Sequence, residues 1–312
     1  MKEIKDRRPI LVTGGHRSGT TWVGKMLAVE RQTAYISEPL NLWHRPGVLI
    51  TPVDYWYPYI CEQNEDRYLP GLCQTLQYHY HLRDEIKALR SRKDLLRMVR
   101  DWRSFQLGRI YHKRPVIKDP FALFSVPWFA QRLDCRVVIT VRHPAAFASS
   151  LKRLGWNFEF SNLLQQPLLM RDWLEPYRHE MEAMLDTPDD IIAQGSLLWR
   201  ILYQVVDQFR DRVPGLLIVR HEDLSLEPID GFQDLFTSLG LGFSSRVKKA
   251  ILNTSSSKNP RELAKEAIHA INLDSRANLR NWKRRLEPGE IKRIRRLTED
   301  VAAIYYPELV WE

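Results

Sequence analysis

The chain has 312 residues, 44% hydrophobic and 27% charged, which is enough for a buried core and too apolar for a disordered polymer. Its three cysteines (Cys61, Cys73, Cys135), without C-x-x-C spacing, exclude a disulfide framework and a cysteine zinc site, and no run nears the roughly 18 apolar residues of a membrane-spanning helix. The net charge of +9 is concentrated: residues 276–296 hold nine Lys or Arg against Glu287 and Glu290, a local +7 that suits either a solvated helix face or a polyanionic partner.

The start, MKEIKDRR, is basic like a signal-peptide flank. The apolar run behind it, Pro9 to Val12, is too short for the hydrophobic core of one, so a reducing, cytoplasmic setting is expected. Pro9–Thr13 reads as the first strand. It runs into Gly14-Gly15-His16-Arg17-Ser18-Gly19-Thr20-Thr21, and residues 20–29 read as a helix burying Trp22, Val23, Met26 and Leu27. Further strands are expected at Ala34–Ser37, Pro115–Lys118, Arg136–Val141 and Leu216–Val219, with helices at 122–133, 144–154 and 190–212. This alternation predicts an α/β fold, a parallel sheet covered by helices on both faces. One domain over residues 1–312 accommodates it, with aromatic-rich insertions at about 43–113 and 155–188. Such insertions are expected over the carboxyl ends of the strands, where ligands bind, although packing alone would account for most of their aromatics. Within the first, Tyr78-His79-Tyr80-His81 lacks a third metal ligand at useful spacing and reads as an exposed turn or acceptor patch.

The glycine-rich segment fits G-x-x-x-x-G-K-[ST] except that Thr20 stands in place of lysine. Strand, loop and helix in that order make an anion cradle: backbone N–H groups converge and the helix N-terminus adds positive potential. Moving the cation into the loop as Arg17 suits a terminal phosphate with an anionic leaving group better than a triphosphate, which counts against ATP.

Arg17-Ser-Gly-Thr-Thr-Trp22 resembles the 5′-phosphosulfate loop of sulfotransferases that use 3′-phosphoadenosine 5′-phosphosulfate (PAPS). A second element agrees: Arg142 follows the Arg136–Val141 strand and Ser150 lies eight residues on, as in that family's 3′-phosphate site. Residues 219–224, Val-Arg-His-Glu-Asp-Leu, resemble a later family element with His221 where tyrosine is common. Asn253-Thr-Ser255 resembles the segment near adenine, and Arg276 with Trp282-Lys283 resembles a C-terminal loop whose glycines are absent here. The landmarks run in order from residue 9 to about 300.

The resemblance implies a cofactor site of Gly15, His16, Arg17, Ser18, Gly19, Thr20, Thr21, Trp22, Arg142, Ser150, His221 and Arg276. Trp22 would stack on adenine, or else serve the core. It implies PAPS as sulfuryl donor, adenosine 3′,5′-bisphosphate (PAP) as product, and no metal. Sulfuryl transfer needs a base, cations on the moving group and a stabilised leaving oxygen. Arg17 takes the last role. Glu38, after the second strand and restrained by Pro39, is the expected base, as in carbohydrate-modifying and bacterial members. His112, before the Pro115 strand, is the substitute candidate. Lys118 ends an apolar strand and must be compensated by Asp119 or by the sulfuryl group. The expected acceptor is a hydroxylated glycan, glycolipid or natural product. The competing functions are a P-loop kinase of a nucleoside or small alcohol, and a non-enzymatic polyanion binder; no specific nucleic-acid motif is present.

Overall fold

The computed structural model describes residues 6–43, 45–264, 270–308 and 311, so the first five residues of the basic start lie outside the described residues. Five strands are formed: β1 (Ile10–Gly14), β2 (Thr33–Ser37), β3 (Arg114–Lys118), β4 (Arg136–Val141) and β5 (Leu217–Arg220). All pair in parallel, in the order β2-β3-β1-β4-β5. Each strand overlaps its sequence expectation closely, because short apolar runs between turn signals have few alternative readings.

The sheet is buried on both faces, and the two-residue alternation of its strands divides the core. Ile10, Val12, Val116 and Val138 face α1 (Thr20–Leu27) and the C-terminal helices Pro228–Ser238 and Ser245–Ser255. Leu11, Ile117, Val137 and Ile139 face the other side, against α3 (Pro144–Leu154) and α4 (Ile191–Gln208). Between them in sequence, α2 (Arg92–Ile110) packs along β2. At the edge of the sheet β5 is only half buried, unlike the fully buried strand its apolar run suggests.

Helix α3 shows how locally the termini are specified. Pro144 opens it with its φ already set, the His143 imidazole accepts from Ala145 N–H at 3.1 Å, and Gly155 closes it at φ 66°. The expected helix over 122–133 is instead a 3₁₀ turn, Pro120–Ser125, followed by a helix, Val126–Arg132; Pro127 cannot donate into a continuous ladder.

Each insertion sends residues to the 14–19 loop, Tyr57 OH accepting from His16 N–H and Trp156 lying under Arg17, and the two are stitched to each other. Trp56 N–H donates to Asn162 Oδ1 and Tyr59 N–H to Gln166 Oε1, at 3.1 and 2.9 Å. The first insertion is largely helical, containing Glu65–Leu76, Leu82–Lys87 and α2. Its Tyr78 and Tyr80 are core residues packed on Phe105, not an exposed turn or acceptor patch. Among the described residues no group of three His, Cys, Asp or Glu could hold a metal, and no helix is long and apolar enough to cross a membrane.

Candidate functional site

Chain direction reverses about β1: the loop leaving it leads through α1 to β2 on one side, and the loop leaving β4 leads to β5 on the other. The crevice at their carboxyl ends is where open α/β sheets bind ligands. The 14–19 loop fills its floor. Gly19, at φ 98°, occupies a backbone region that favours glycine, and a Cβ there would stand 2.6 Å from His221 Nδ1. Ser18 Oγ pairs with Thr140 Oγ1 at 2.7 Å, pinning the loop to β4. Gly15 N–H donates to Tyr203 OH and His16 N–H to Tyr57 OH, at 3.1 and 3.0 Å. Those two donors are therefore spent on the scaffold, and the first turn of α1, Thr20 and Thr21, faces the cleft together with Gly19.

Four guanidinium groups line this cleft: Arg17, Arg142, Arg153 and Arg285. Arg142 is buried at the end of β4. Trp199 Nε1 donates to its carbonyl at 2.8 Å, and its own Nη1 donates to the Arg17 carbonyl at 2.8 Å. Arg17 Nε reaches Ser150 Oγ at 3.2 Å. Burial, and then the charges of Arg142, Arg153 and Arg285, push the Arg17 guanidinium down to about 10. Glu262 bridges Arg153 and Arg285 at 3.4 and 2.8 Å. Glu222 lies behind Arg142 but accepts from Tyr306 OH and His143 N–H. The buried Nε atoms of Arg142, Arg153 and Arg285, and His221 Nδ1, have no hydrogen-bond partner among the described residues. Clustered cations with unspent donors are costly unless an anion completes them. Beside them, Trp22 donates through Nε1 to Thr254 Oγ1 at 3.0 Å and lies edge-on to His221, leaving an aromatic wall next to the charges. The residues present thus fit a nucleotide carrying more than one phosphate group.

On the other side of the loop, Glu38 and Lys118 form an ion pair where β2 and β3 end. Lys118 is 1% exposed. Burial opposes its charge, but Tyr35, Glu38 and Asp119 more than offset this and raise its pKa. Its partner is thus Glu38, and not Asp119 or a ligand alone as expected. Glu38 also accepts from Asn41 Nδ2 at 2.7 Å. Its φ of 47° departs from the extended backbone that a following proline favours, a strain of about 1–3 kcal/mol that the surrounding contacts must hold. Asp119 supplies one such contact, accepting from Leu40 N–H and Phe121 N–H at 2.6 and 3.0 Å. Its burial, and then Glu38, push its carboxyl up to about 7. Around this pair the wall is aromatic: His16 lies between Phe121, Phe147 and Tyr57, Trp56 packs on Phe121 at 4.5 Å, and Arg17 lies over Trp156.

The structure brings Arg17, Gly19, Thr20, Thr21, Trp22, Arg142, Ser150 and His221 into one cleft. Gly15, His16 and Ser18 support the loop from behind. Arg276 is turned out of the cleft, 64% exposed at its side chain and bonded to Glu227 and the Leu226 carbonyl; the cleft's C-terminal cation is Arg285 instead. His112 is exposed at the amino end of β3, a strand length from Lys118, and cannot share a site with it. Sequence reasoning missed Arg153 and Arg285, whereas Thr254 lies in the Asn253–Ser255 segment already expected near the base. Arg153 had a signal, three residues beyond Ser150 and so on the same helix face, while Arg285 was one of nine cations in its segment.

Residues 9–245 match the family model described as the sulfotransferase family. No curated protein matches the chain. A sulfotransferase domain from the Synechococcus PCC 7002 olefin synthase is 17% identical, covering 99% of this chain and 98% of that one with a TM-score of 0.50, a likeness of fold. A sulfotransferase domain from the curacin biosynthetic pathway is 19% identical, covering 93% and 98%, with a TM-score of 0.46. A mouse sulfotransferase complexed with PAP is 12% identical, covering 95% and 84%, with a TM-score of 0.47.

Proposed function

The chain belongs to the sulfotransferase family, and from that premise we propose that it transfers a sulfuryl group from PAPS to a hydroxyl of an acceptor, as a single catalytic domain. The observation that carries this reading is the cleft of four arginines with three unpartnered buried Nε groups beside a tryptophan. When bound, the donor supplies an activated sulfuryl group. Arg142 and Ser150, reinforced by Arg153 and Arg285, hold its 3′-phosphate; Thr20, Thr21 and the first turn of α1 hold its 5′ end; Trp22 and Thr254 flank the base. Arg17, tied to Ser150 on one side and lying over Trp156 on the other, presents its charge between cleft and aromatic wall, where the leaving oxygen needs it.

Glu38 takes the acceptor's hydroxyl proton at a carboxylate oxygen. Lys118 at one oxygen and Asn41 at the other fix the orientation of the carboxylate toward the aromatic wall. Lys118 stays charged and balances the carboxylate before transfer. The aromatic wall of Trp56, Phe121 and Trp156 suits an acceptor with a face to stack, such as a sugar or a hydroxylated natural product.

The reading is tested by thermal-shift titration with PAP alone and with ATP plus Mg²⁺. At a hundred times its Kd, PAP should add roughly 2.7 kcal/mol and raise the Tm by several degrees, with no comparable rise from ATP. A rise with ATP alone would replace the proposal with a kinase.

A further inference from the structure

Helix α2 turns Met98, Asp101, Phe105 and Gly108 inward, and Ser104 Oγ donates to the Tyr35 carbonyl of β2 at 2.8 Å. Its opposite face is also apolar. Leu95, Leu96, Val99, Trp102, Leu107 and Ile110 are all exposed, Leu96 by 71% and Ile110 by 64%. At one residue per 100° they fall within an arc of about 140° along the whole helix. Apolar residues scattered over a surface are ordinary, but six in one stripe mark a contact surface.

Charge decides what the stripe meets. Residues 92–110 contain six Lys or Arg against Asp94 and Asp101, and Asp101 pairs inward with Arg45 and also with Arg100. Lys93 borders the stripe and Arg92 and Arg103 lie within its arc, all of them exposed. A second copy of the chain packed on this face about a twofold axis would oppose like charges and bury Arg103. Lipid phosphates would neutralise the same cations while the apolar ridge, with Trp102 at its edge, enters the boundary between headgroups and acyl chains. We propose that the outer face of α2 seats the protein peripherally on an anionic lipid surface. The segment after Glu38 is tied to the inner face of the same helix through Arg45 and Asp101, so the seated helix and the loop bearing Glu38 share one rigid support.

The test is co-sedimentation of the full chain with vesicles of phosphatidylcholine containing about one-third phosphatidylserine, beside phosphatidylcholine alone. The chain should bind the anionic vesicles, lose binding as salt is raised, and bind the zwitterionic ones at least about tenfold more weakly. The double variant L96E/I110E should lose anionic-vesicle binding by at least about tenfold with its Tm unchanged, because both side chains already face solvent. Equal vesicle binding by wild type and variant would overturn the proposal by placing the attraction elsewhere, for instance on the basic 276–296 segment. So would a concentration-dependent dimer, seen by light scattering, that the same variant abolishes in the absence of any vesicle binding.

Discussion

On the β4 side of the 14–19 loop, four guanidinium groups line a cleft with more buried donors than acceptors; on the β2 side, one lysine meets one glutamate and the surrounding wall is aromatic. The first side is electrostatically incomplete by itself and is organised for a multiply charged anion. The second pairs one cation with one carboxylate and has a backbone outlier at Glu38 held by Asn41 and Asp119, the place where the proposal puts proton transfer. Arg17 stands between them. On the proposed reading, binding the donor and activating the acceptor fall on opposite flanks of one loop, and substitutions on each flank should have separable effects.

The largest effect is expected from Glu38→Gln. Turnover should fall by about 10²–10⁴ while PAP affinity stays within about twofold, read by steady-state kinetics with an acceptor and by direct titration. Turnover surviving within a few-fold would place the base elsewhere on the aromatic flank. On the cleft side, Arg285→Ala should weaken PAP binding by about tenfold, the loss of one charge-assisted contact, whereas Arg276→Ala should change it by less than about twofold. The reverse ranking would show that the C-terminal segment closes over the ligand differently from its arrangement here.

The smallest effect is on stability, where buried histidines and the buried Asp119 carboxyl act with opposite sign. On the cleft side, burial, and then neighbouring Arg142, push His143 and His221 down to about 3. In the unfolded chain they take the ordinary value near 6.5, so below that pH the unfolded state binds more protons and stability falls as pH falls. Asp119, raised to about 7, acts oppositely: between about 4 and 7 the folded state holds the extra proton, and stability falls as pH rises. His16, likewise pushed down to about 3 by burial and Arg17, adds to the histidine effect. The wild type should therefore lose Tm between pH 6.5 and 5, and Asp119→Asn should lose it more steeply, by about 1 kcal/mol per pH unit. A wild-type Tm rising over that acid range would mean that the buried histidines do not stay neutral.

The five strands, α1 and α3 were legible because each rests on a local signal: an apolar run between turns, a proline at a first helical position, a glycine beyond a last one. The cleft was legible for the same reason where loop and helix residues carry it, as with Arg17, Thr20 and Arg142. It failed where the side chain's direction depends on distant packing. Arg276 and Arg285 belong to one basic segment, and only the fold turns Arg285 toward Glu262 and Arg276 toward Glu227. The Lys118–Glu38 pair was half legible, since a lysine ending an apolar strand demanded a partner, but the register of β2 against β3, Ser37 beside Lys118, selected it. The burial of Tyr78 and Tyr80 had no sequence signal beyond their being aromatic, because Phe105, their partner, lies a whole helix away.

The division of labour is tested most directly by calorimetric titration of PAP into wild type, Arg142→Ala and Glu38→Gln. Wild type and Glu38→Gln should bind with the same affinity and Arg142→Ala about 100-fold more weakly, while Glu38→Gln unfolds at a lower temperature than wild type because buried Lys118 loses its paired charge. Unchanged binding by Arg142→Ala, or a comparable loss in Glu38→Gln, would contradict the assignment of the two flanks to donor and acceptor.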